Sequence, residues 1–570
     1  MRIRKQANEN IVGNEKVEEA PEERNIISGN TRAGVLIEDA QKNLVGGNYI
    51  GTNKDGSVKL PNQDGVVLRG RAQFNLIGVR EVSSFNYSGS RNLIAGNRDD
   101  GVEISGFDTD QNYVMGNFIG TNDNPDIDLS NRVGVFIHNG AYANQIGGTT
   151  FREDNVISGH PHTGVIIQDE GTTNNQIRGN KIGTDWSGKG KIPNRWGVLI
   201  TQSAKSNIIE KNIISGNVFF GVFLSGRGTN DNKIWGNIVG KISTSLLDLA
   251  NKQGIYIHAL ADGNIIGGEG AKANIIAGND EKGVWLHQVR DNVVTGNFIG
   301  TDRAGNELGN DIGVFVQNSA KNTVSSNKIW YNCTAVKLAG SWQNQILNND
   351  EHESWCLFTG LHVSNSSPMV IGNTFRNGAG DAILSEQGSS PVIQKNNFIS
   401  SGGFAINNQD AGVTLSATGN WFGDASGPGG SGPGSGDEVN GQVDFANWRA
   451  TAVSLTVAAA TDTAYLGNGQ SDSVMCFFQN WQNLSDVLNV TVTDSLGWLY
   501  GATAYSLTLR DSLGADSTVS VAVPGDAKVG TINKIKIRAV SQSNPAISDA
   551  DSFLVMVYNR FLAQMEISPA

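Results

Sequence analysis

Asn25-Ile-Ile-Ser-Gly-Asn30 and, a few residues on, Gly34-Val-Leu-Ile37 decide the fold, because the chain keeps returning to them. The first motif recurs as Asn92-Leu-Ile-Ala-Gly-Asn97, Asn155-Val-Ile-Ser-Gly-His160, Asn212-Ile-Ile-Ser-Gly-Asn217 and Asn274-Ile-Ile-Ala-Gly-Asn279, at intervals of 67, 63, 57 and 62 residues. The second, Gly-Val-x-aliphatic, comes twice per interval, from Gly34, Gly65, Gly101, Gly134, Gly164, Gly197, Gly221, Gly254, Gly283 and Gly313. A third, Ile-Gly-Thr-Asn/Asp, surrounds Gly51, Gly120, Gly183 and Gly300. Each interval therefore holds one shorter and one longer coil. The longer one carries a turn-rich insertion after the Thr. Apolar residues alternate within each motif, and Gly and Asn bound them, which reads as short strands and tight turns. Similar units of this length with no helical segment predict a parallel β-helix, each coil adding one strand to several parallel sheets. The repeated Asn then falls at one level of every coil, where amides bond up and down in a ladder. The repeated Gly supplies positive φ at corners.

Composition agrees. Of 570 residues, 71 are Gly, 63 Asn and only 12 Pro, which excludes collagen and a Pro-rich linker. A net charge of −12 argues against a general nucleic-acid binder. No apolar run is long enough to span a bilayer, so no membrane insertion is expected. Cys333, Cys356 and Cys476 allow one disulfide at most and form no CxxC metal site. The start, rich in Arg and Lys with no apolar stretch behind it, is not a signal peptide. If the protein is exported, its signal lies upstream of Met1 or has been removed.

The pattern loosens after Asn327 but persists through Ala335-Val-Lys-Leu, Gly360-Leu-His-Val, Ala382-Ile-Leu and Ala405-Ile-Asn, giving about 14 coils. This grammar resembles the right-handed parallel β-helix repeat proteins of bacteria, the pectin-lyase-like superfold. Gly419-Asn-Trp-Phe-Gly-Asp-Ala-Ser-Gly-Pro, ahead of Trp448, resembles the closing segment of such bacterial surface domains. Trp421, Phe422 and Trp448 are expected to cover the last coil. From about Ala452, alternating strands rich in Thr, Val and Ser suggest an immunoglobulin-like sandwich, and Val523-Pro-Gly-Asp-Ala-Lys-Val-Gly resembles bacterial Ig-like stalk modules. The expected organisation is all-β: residues 1–448 as β-helix with its closing segment at about 419–448, then 452–560 as an Ig-like β-sandwich.

In Gly-Val-x-Ile the Val and Ile point inward and x points out. Down the ten coils x is Leu36, Val67, Glu103, Phe136, Ile166, Leu199, Phe223, Tyr256, Trp285 and Phe315. An apolar outward stripe of this kind implies a cover: the chain's own loops or terminus, another protomer, or a polysaccharide stacked on the rings. Two residues later, His258 and His287 fall on adjacent coils. With Phe136, Phe223, Tyr256, Trp285 and Phe315 they form the candidate interface or glycan-binding patch. A zinc site would need a third ligand, and none is evident. Another column places Asp99, Arg132, His162 and Arg195 on successive coils. A lyase or epimerase acting on an acidic polysaccharide needs such groups: a cation for the uronate carboxylate, a base for the C5 proton, an acid for the leaving oxygen. The plainer reading is a ladder of charge pairs beside a turn. The Asn-Thr-Asp, Gly-His-Gly and Asp-Pro-His motifs of related enzymes are absent. Thr184-Asp185 and Thr301-Asp302 begin turns that offer calcium too few oxygens and read better as Asx turns, so no cofactor is expected.

These readings point to an extracellular or cell-surface structural or adhesive protein. It would act by self-assembly, head-to-tail or lateral, or by polysaccharide binding. The alternative is a polysaccharide lyase, glycoside hydrolase or epimerase.

Overall fold

The computed structural model describes residues 1–14, 24–79, 90–150, 152–241, 249–352, 359–452, 455–459, 463–480, 486–509 and 514–557. Cys356, Ser454 and residues 558–560 lie outside them. The chain is a right-handed parallel β-helix with three parallel sheets, of 17, 16 and 14 strands among the described residues, followed by a small β-sandwich-like region. Its residues group into two compact units.

In the first unit (residues 1–322 and 329–341), the Gly-Val-x-aliphatic motifs form the first sheet. Its register is unbroken: Val102 lies beside Val135, then Val165, Val198, Val222, Ile255, Val284, Val314 and Val336. All nine are fully buried. Short strands such as Leu76–Gly78 and Tyr113–Met115 build the second sheet, and Leu93–Ile94 and Phe118–Ile119 the third.

The sequence predicts one asparagine ladder; the structure has one at each of three corners. Asn10, Asn43, Asn75, Asn112, Asn144, Asn175 and Asn207 follow one another at 2.8–3.1 Å, amide to carbonyl, between the first and second sheets. A second ladder runs Asn48, Asn92, Asn117, Asn155, Asn180, Asn212, and a third runs Asn30, Asn62, Asn97, Asn131. Asn112 shows the logic. Its Nδ2 donates to Ala72 O (2.8 Å) and Asn144 Oδ1 (3.0 Å), while its Oδ1 accepts from the backbone N–H and the Nδ2 of Asn75. The buried amide thus has partners on both sides, where an unpaired one would cost about 1–3 kcal/mol.

The glycines divide into two kinds. Those like Gly183 sit at positive φ (+90°), as the corner requires. The motif glycines do not. A Cβ on Gly134 would lie 2.4 Å from Gly164 O and 2.6 Å from an Ile157 methyl, so these positions are glycine because neighbouring coils approach too closely for a side chain.

His160 replaces asparagine in the third ladder. Its backbone N–H donates to Asn194 Oδ1 (3.0 Å), and its ring nitrogens face Asn131 O and Ile119 O, both at 3.1 Å. A neutral ring can donate to only one of these carbonyls. Burial nonetheless outweighs both and drives its pKa down to about 4.

In the second unit (residues 323–328, 342–352 and 359–557 of those described), Phe375, Phe398 and Phe422 stack through the interior with ring centroids 5.4 and 5.2 Å apart. Phe422 therefore continues the core of the last coils, and Trp421 bridges to Asn397. Trp448 lies against Gly427, with its Nε1–H on Ala425 O (3.3 Å). The sandwich-like region pairs a sheet of Leu455–Ala459, Ser471–Asn480 and Gly514–Ala522 with a second of five strands. Its pairings are antiparallel except where Thr463–Leu466 runs parallel to Leu554–Val557. Phe477 and Ala458 pack on Leu347 and Ile371 of the coils, and Lys395 Nζ pairs with Asp549 at 3.0 Å. Cys333 is disulfide-bonded, whereas Cys476 is a buried free thiol.

Two outcomes are expected. The folded chain resists protonating His160 and the unfolded chain does not, so stability falls as pH drops below about 6.5, by about 3 kcal/mol at pH 4. His160→Asn should remove that share, and the urea midpoint should fall less between pH 6.5 and 4 than in the parent. Phe398→Ala empties the middle of the three-ring stack and should cost about 3–5 kcal/mol, read from denaturant unfolding.

Candidate functional site

The outward column of the first sheet aligns as the sequence predicts. Glu103 lies beside Phe136, then Ile166, Leu199, Phe223, Tyr256, Trp285, Phe315 and Lys337. Phe223 and Tyr256 stack at 5.1 Å, Tyr256 and Trp285 at 4.3 Å, and Trp285 and Phe315 at 6.2 Å, with interplanar angles of 10°, 24° and 11°. His258 and His287 stack beside them at 4.9 Å. The Tyr256 hydroxyl meets His287 Nδ1 at 3.1 Å. Burial pushes the Tyr256 phenol up to about 12, and burial followed by the neighbouring His258 lowers the His287 pKa. Phe136 stacks on His138, whose Nε2 meets the carboxylate of Glu103 at 3.0 Å, and it packs with Trp196 and Phe223 on Val133, Ile166 and Leu199.

Strict alternation sends the residue before each motif glycine inward. The structure turns it outward, because the side-chain-free glycine faces the interior and breaks the period of two. Phe220 accordingly lies 5.0 Å from Phe223 and 5.1 Å from Tyr256, and Trp196 lies 5.8 Å from Phe223. This column (Asp100, Trp196, Phe220, Lys282) is the part of the face that sequence reasoning missed. The signal was the residue immediately before each glycine.

Cations sit over the rings. Lys282 Nζ is 4.7 Å from the Trp285 centroid and Lys337 Nζ 5.9 Å from that of Phe315, while the Arg195 guanidinium lies 5.8 and 5.5 Å from Trp196 and Phe219. All are within cation–π reach. The rings other than Tyr256 stay partly exposed. Among the described residues, the turn insertion that carries Ile127 and Leu129 packs on the third sheet, against Tyr49, Leu93 and Phe118.

The Asp99, Arg132, His162, Arg195 column also stacks. Arg132 N–H donates to Asp99 O (2.7 Å) and His162 N–H to Arg132 O (3.2 Å). Their side chains divide into two groups. Arg132 pairs with Asp99, whereas His162 lies edge-on to Trp196 (5.3 Å) and bonds Thr163 Oγ1 (2.9 Å), next to Arg195. Burial, then Arg132 and Arg195, holds the His162 pKa down. Asp100, beside this row, is buried, and burial followed by the charge of Asp99 raises its pKa to about 8.

Asp185 and Asp302 close their own turns. Asp302 accepts from the Ala304 and Asn306 backbone N–H groups and from Asn306 Nδ2, and Asp185 from Ser187 and Lys189. Among the described residues, no group of three or more His, Cys, Asp or Glu side chains is placed to hold a metal ion.

A model of the family described as periplasmic copper-binding protein (NosD) matches residues 242–351. No curated protein matches the chain. Among solved structures, a double mutant of the periplasmic alginate epimerase AlgG is 13% identical, covering 60% of this chain and 78% of its own, with a TM-score of 0.38. The A-module of the Azotobacter vinelandii mannuronan C-5 epimerase AlgE6 is 12% identical, covering 73% and 88%, with a TM-score of 0.20. The tailspike of E. coli bacteriophage HK620 is 10% identical, covering 86% and 81%, with a TM-score of 0.19. Within 242–351, His258 and His287 supply two imidazoles, and one nitrogen of His287 is already engaged by Tyr256. The described residues there do not assemble a copper ligand set.

The ring ladder gives an expectation of its own. Tyr256→Phe removes the hydroxyl that meets His287, leaving burial and His258 to act on it. The His287 pKa, followed by NMR titration, should shift measurably while the fold is unchanged.

Proposed function

We propose that the protein is a non-cytoplasmic structural or adhesive β-helix that binds an acidic polysaccharide along the ring ladder of its first sheet. The carrying observation is the continuous, partly exposed stack Phe223, Tyr256, Trp285, Phe315 with Lys282 and Lys337 over its rings. Flat rings at one per coil suit the faces of successive sugars, and the Lys337 ammonium suits their carboxylates, Lys282 being paired with Glu281 at 3.2 Å. The disulfide at Cys333 supports an oxidising compartment, as does the periplasmic description of the matched family. Within that range, an extracellular or cell-surface position and an Ig-like spacer role for the sandwich are the finer proposals.

Calorimetry with uronate oligosaccharides tests this. Binding should exceed that of neutral glucans, and Trp285→Ala should weaken it by about 3- to 10-fold. Unchanged affinity in that variant overturns the reading. So does light scattering that shows the ladder buried between copies, which would make it a self-association surface.

A second reading rests on Asp100 and His162. An acid with a pKa of about 8 stays protonated at neutral pH, and a neutral imidazole between two arginines can accept a proton. On a uronate polymer, His162 would take the C5 proton as the bond from C4 to its oxygen breaks. A C4=C5 double bond forms, and Asp100 supplies the proton to the leaving oxygen. Arg132 is already paired with Asp99, which ranks this reading second. An ultraviolet signal from unsaturated product, lost in His162→Gln, would move it to first.

A further inference from the structure

On another side of the first unit, a groove of about 1180 Å³ opens along the third sheet and its adjoining turns. Its charge is opposite to that of the chain. Arg91, Arg152, Lys181, Lys189 and Lys211 line it, with Asp154 as the one acidic lining residue among those described, in a protein of net charge −12. Asp154 is already committed, to Arg91 at 3.2 Å and Lys181 at 2.5 Å. Lys189 and Lys211 have no ion-pair partner among the described residues. A concave site lined by one sign of charge concentrates ligands of the other.

The groove also presents an indole. Trp186 is 61% exposed, so its ring is open for a sugar face to stack on. It is held in place, not left loose. Its backbone N–H donates to Asp123 Oδ1 (2.8 Å) on a neighbouring turn, and the Thr184–Lys191 bridge pins the base of its own.

We propose that this groove is a separate binding site for a carboxylated polysaccharide, with Trp186 stacking on a sugar ring and Lys189 and Lys211 pairing with carboxylates. Lys189 and Lys211 come from neighbouring coils, whose third-sheet strands pair through Lys181–Ile213 and Ile182–Ile214, so one extended anionic chain can meet both. A single-stranded nucleic acid fits less well. Base stacking needs a succession of free rings, and among the described residues the other aromatic lining residue, Phe118, already lies under the Arg91 guanidinium at 5.6 Å. The site shares no residue with the ring ladder and does not rest on it.

Hydroxyl-radical footprinting of the full chain tests the proposal, with short polygalacturonate oligomers as probe. Oxidation of Trp186 should fall as oligomer is added. The Lys189→Ala/Lys211→Ala double variant should raise the half-protection concentration by about 5- to 30-fold, two surface ion pairs being lost. Trp285 is read in the same digest, so the ladder reports separately. Protection at Trp285 without Trp186 overturns the groove and leaves the ladder reading standing, and the reverse result does the opposite. Equal Trp186 oxidation with and without oligomer, or equal protection by neutral dextran or by single-stranded DNA, also overturns the groove proposal.

Discussion

Everything on the surface of this protein depends on the asparagine ladders inside its corners. Each Asn bonds to its equivalents in the coils on either side and to a backbone carbonyl. A corner that shifted by one residue would leave several buried amides unpaired in both neighbouring coils. The penalty is local, but it is repeated at three corners of nearly every turn, and it locks the register of all three sheets. That is why Val102 can be followed to Val336 without a slip, and why residues many coils apart in sequence share one file on the outside.

The binding surfaces follow from this regularity and from its interruptions. The first sheet presents rings because nine of the ten outward positions in its Gly-Val-x-aliphatic motifs are apolar, and because the motif glycine reverses the side on which the preceding residue emerges. Phe220 and Trp196 thereby widen a single file of rings into a platform. The cationic groove arises differently, from the inserted turns. Arg91 reaches across Phe118 to pair with Asp154. One sheet makes its site by repetition, the other by departing from it.

Much of the fold was legible in the sequence. Motif spacing dictated parallel coils, and Val35 and Ile37 are fully buried as alternation requires. The outward file through Phe223, Tyr256 and Trp285 was legible too. Less visible was anything that depends on a break in period. Asp100 and Phe220 were missed because alternation assigns them inward. Positive φ holds for the repeated corner glycines such as Gly96 and Gly183, but the Gly-Val-x-aliphatic glycines instead meet the backbone of the next coil. Trp186 was read only as part of a turn. Its exposure depends on Asp123, 63 residues away in sequence. His160 completed the first motif in the sequence but gave no hint that it would sit sealed between two carbonyls.

Because one ring is contributed per coil and the spacing is fixed from within, the face has no privileged starting point along the stack of Phe223, Tyr256, Trp285 and Phe315. A long, periodic ligand displaced by one coil would meet nearly the same surroundings. Gain or loss of a whole pair of coils by gene duplication or deletion would therefore change the reach of the face while leaving its chemistry intact.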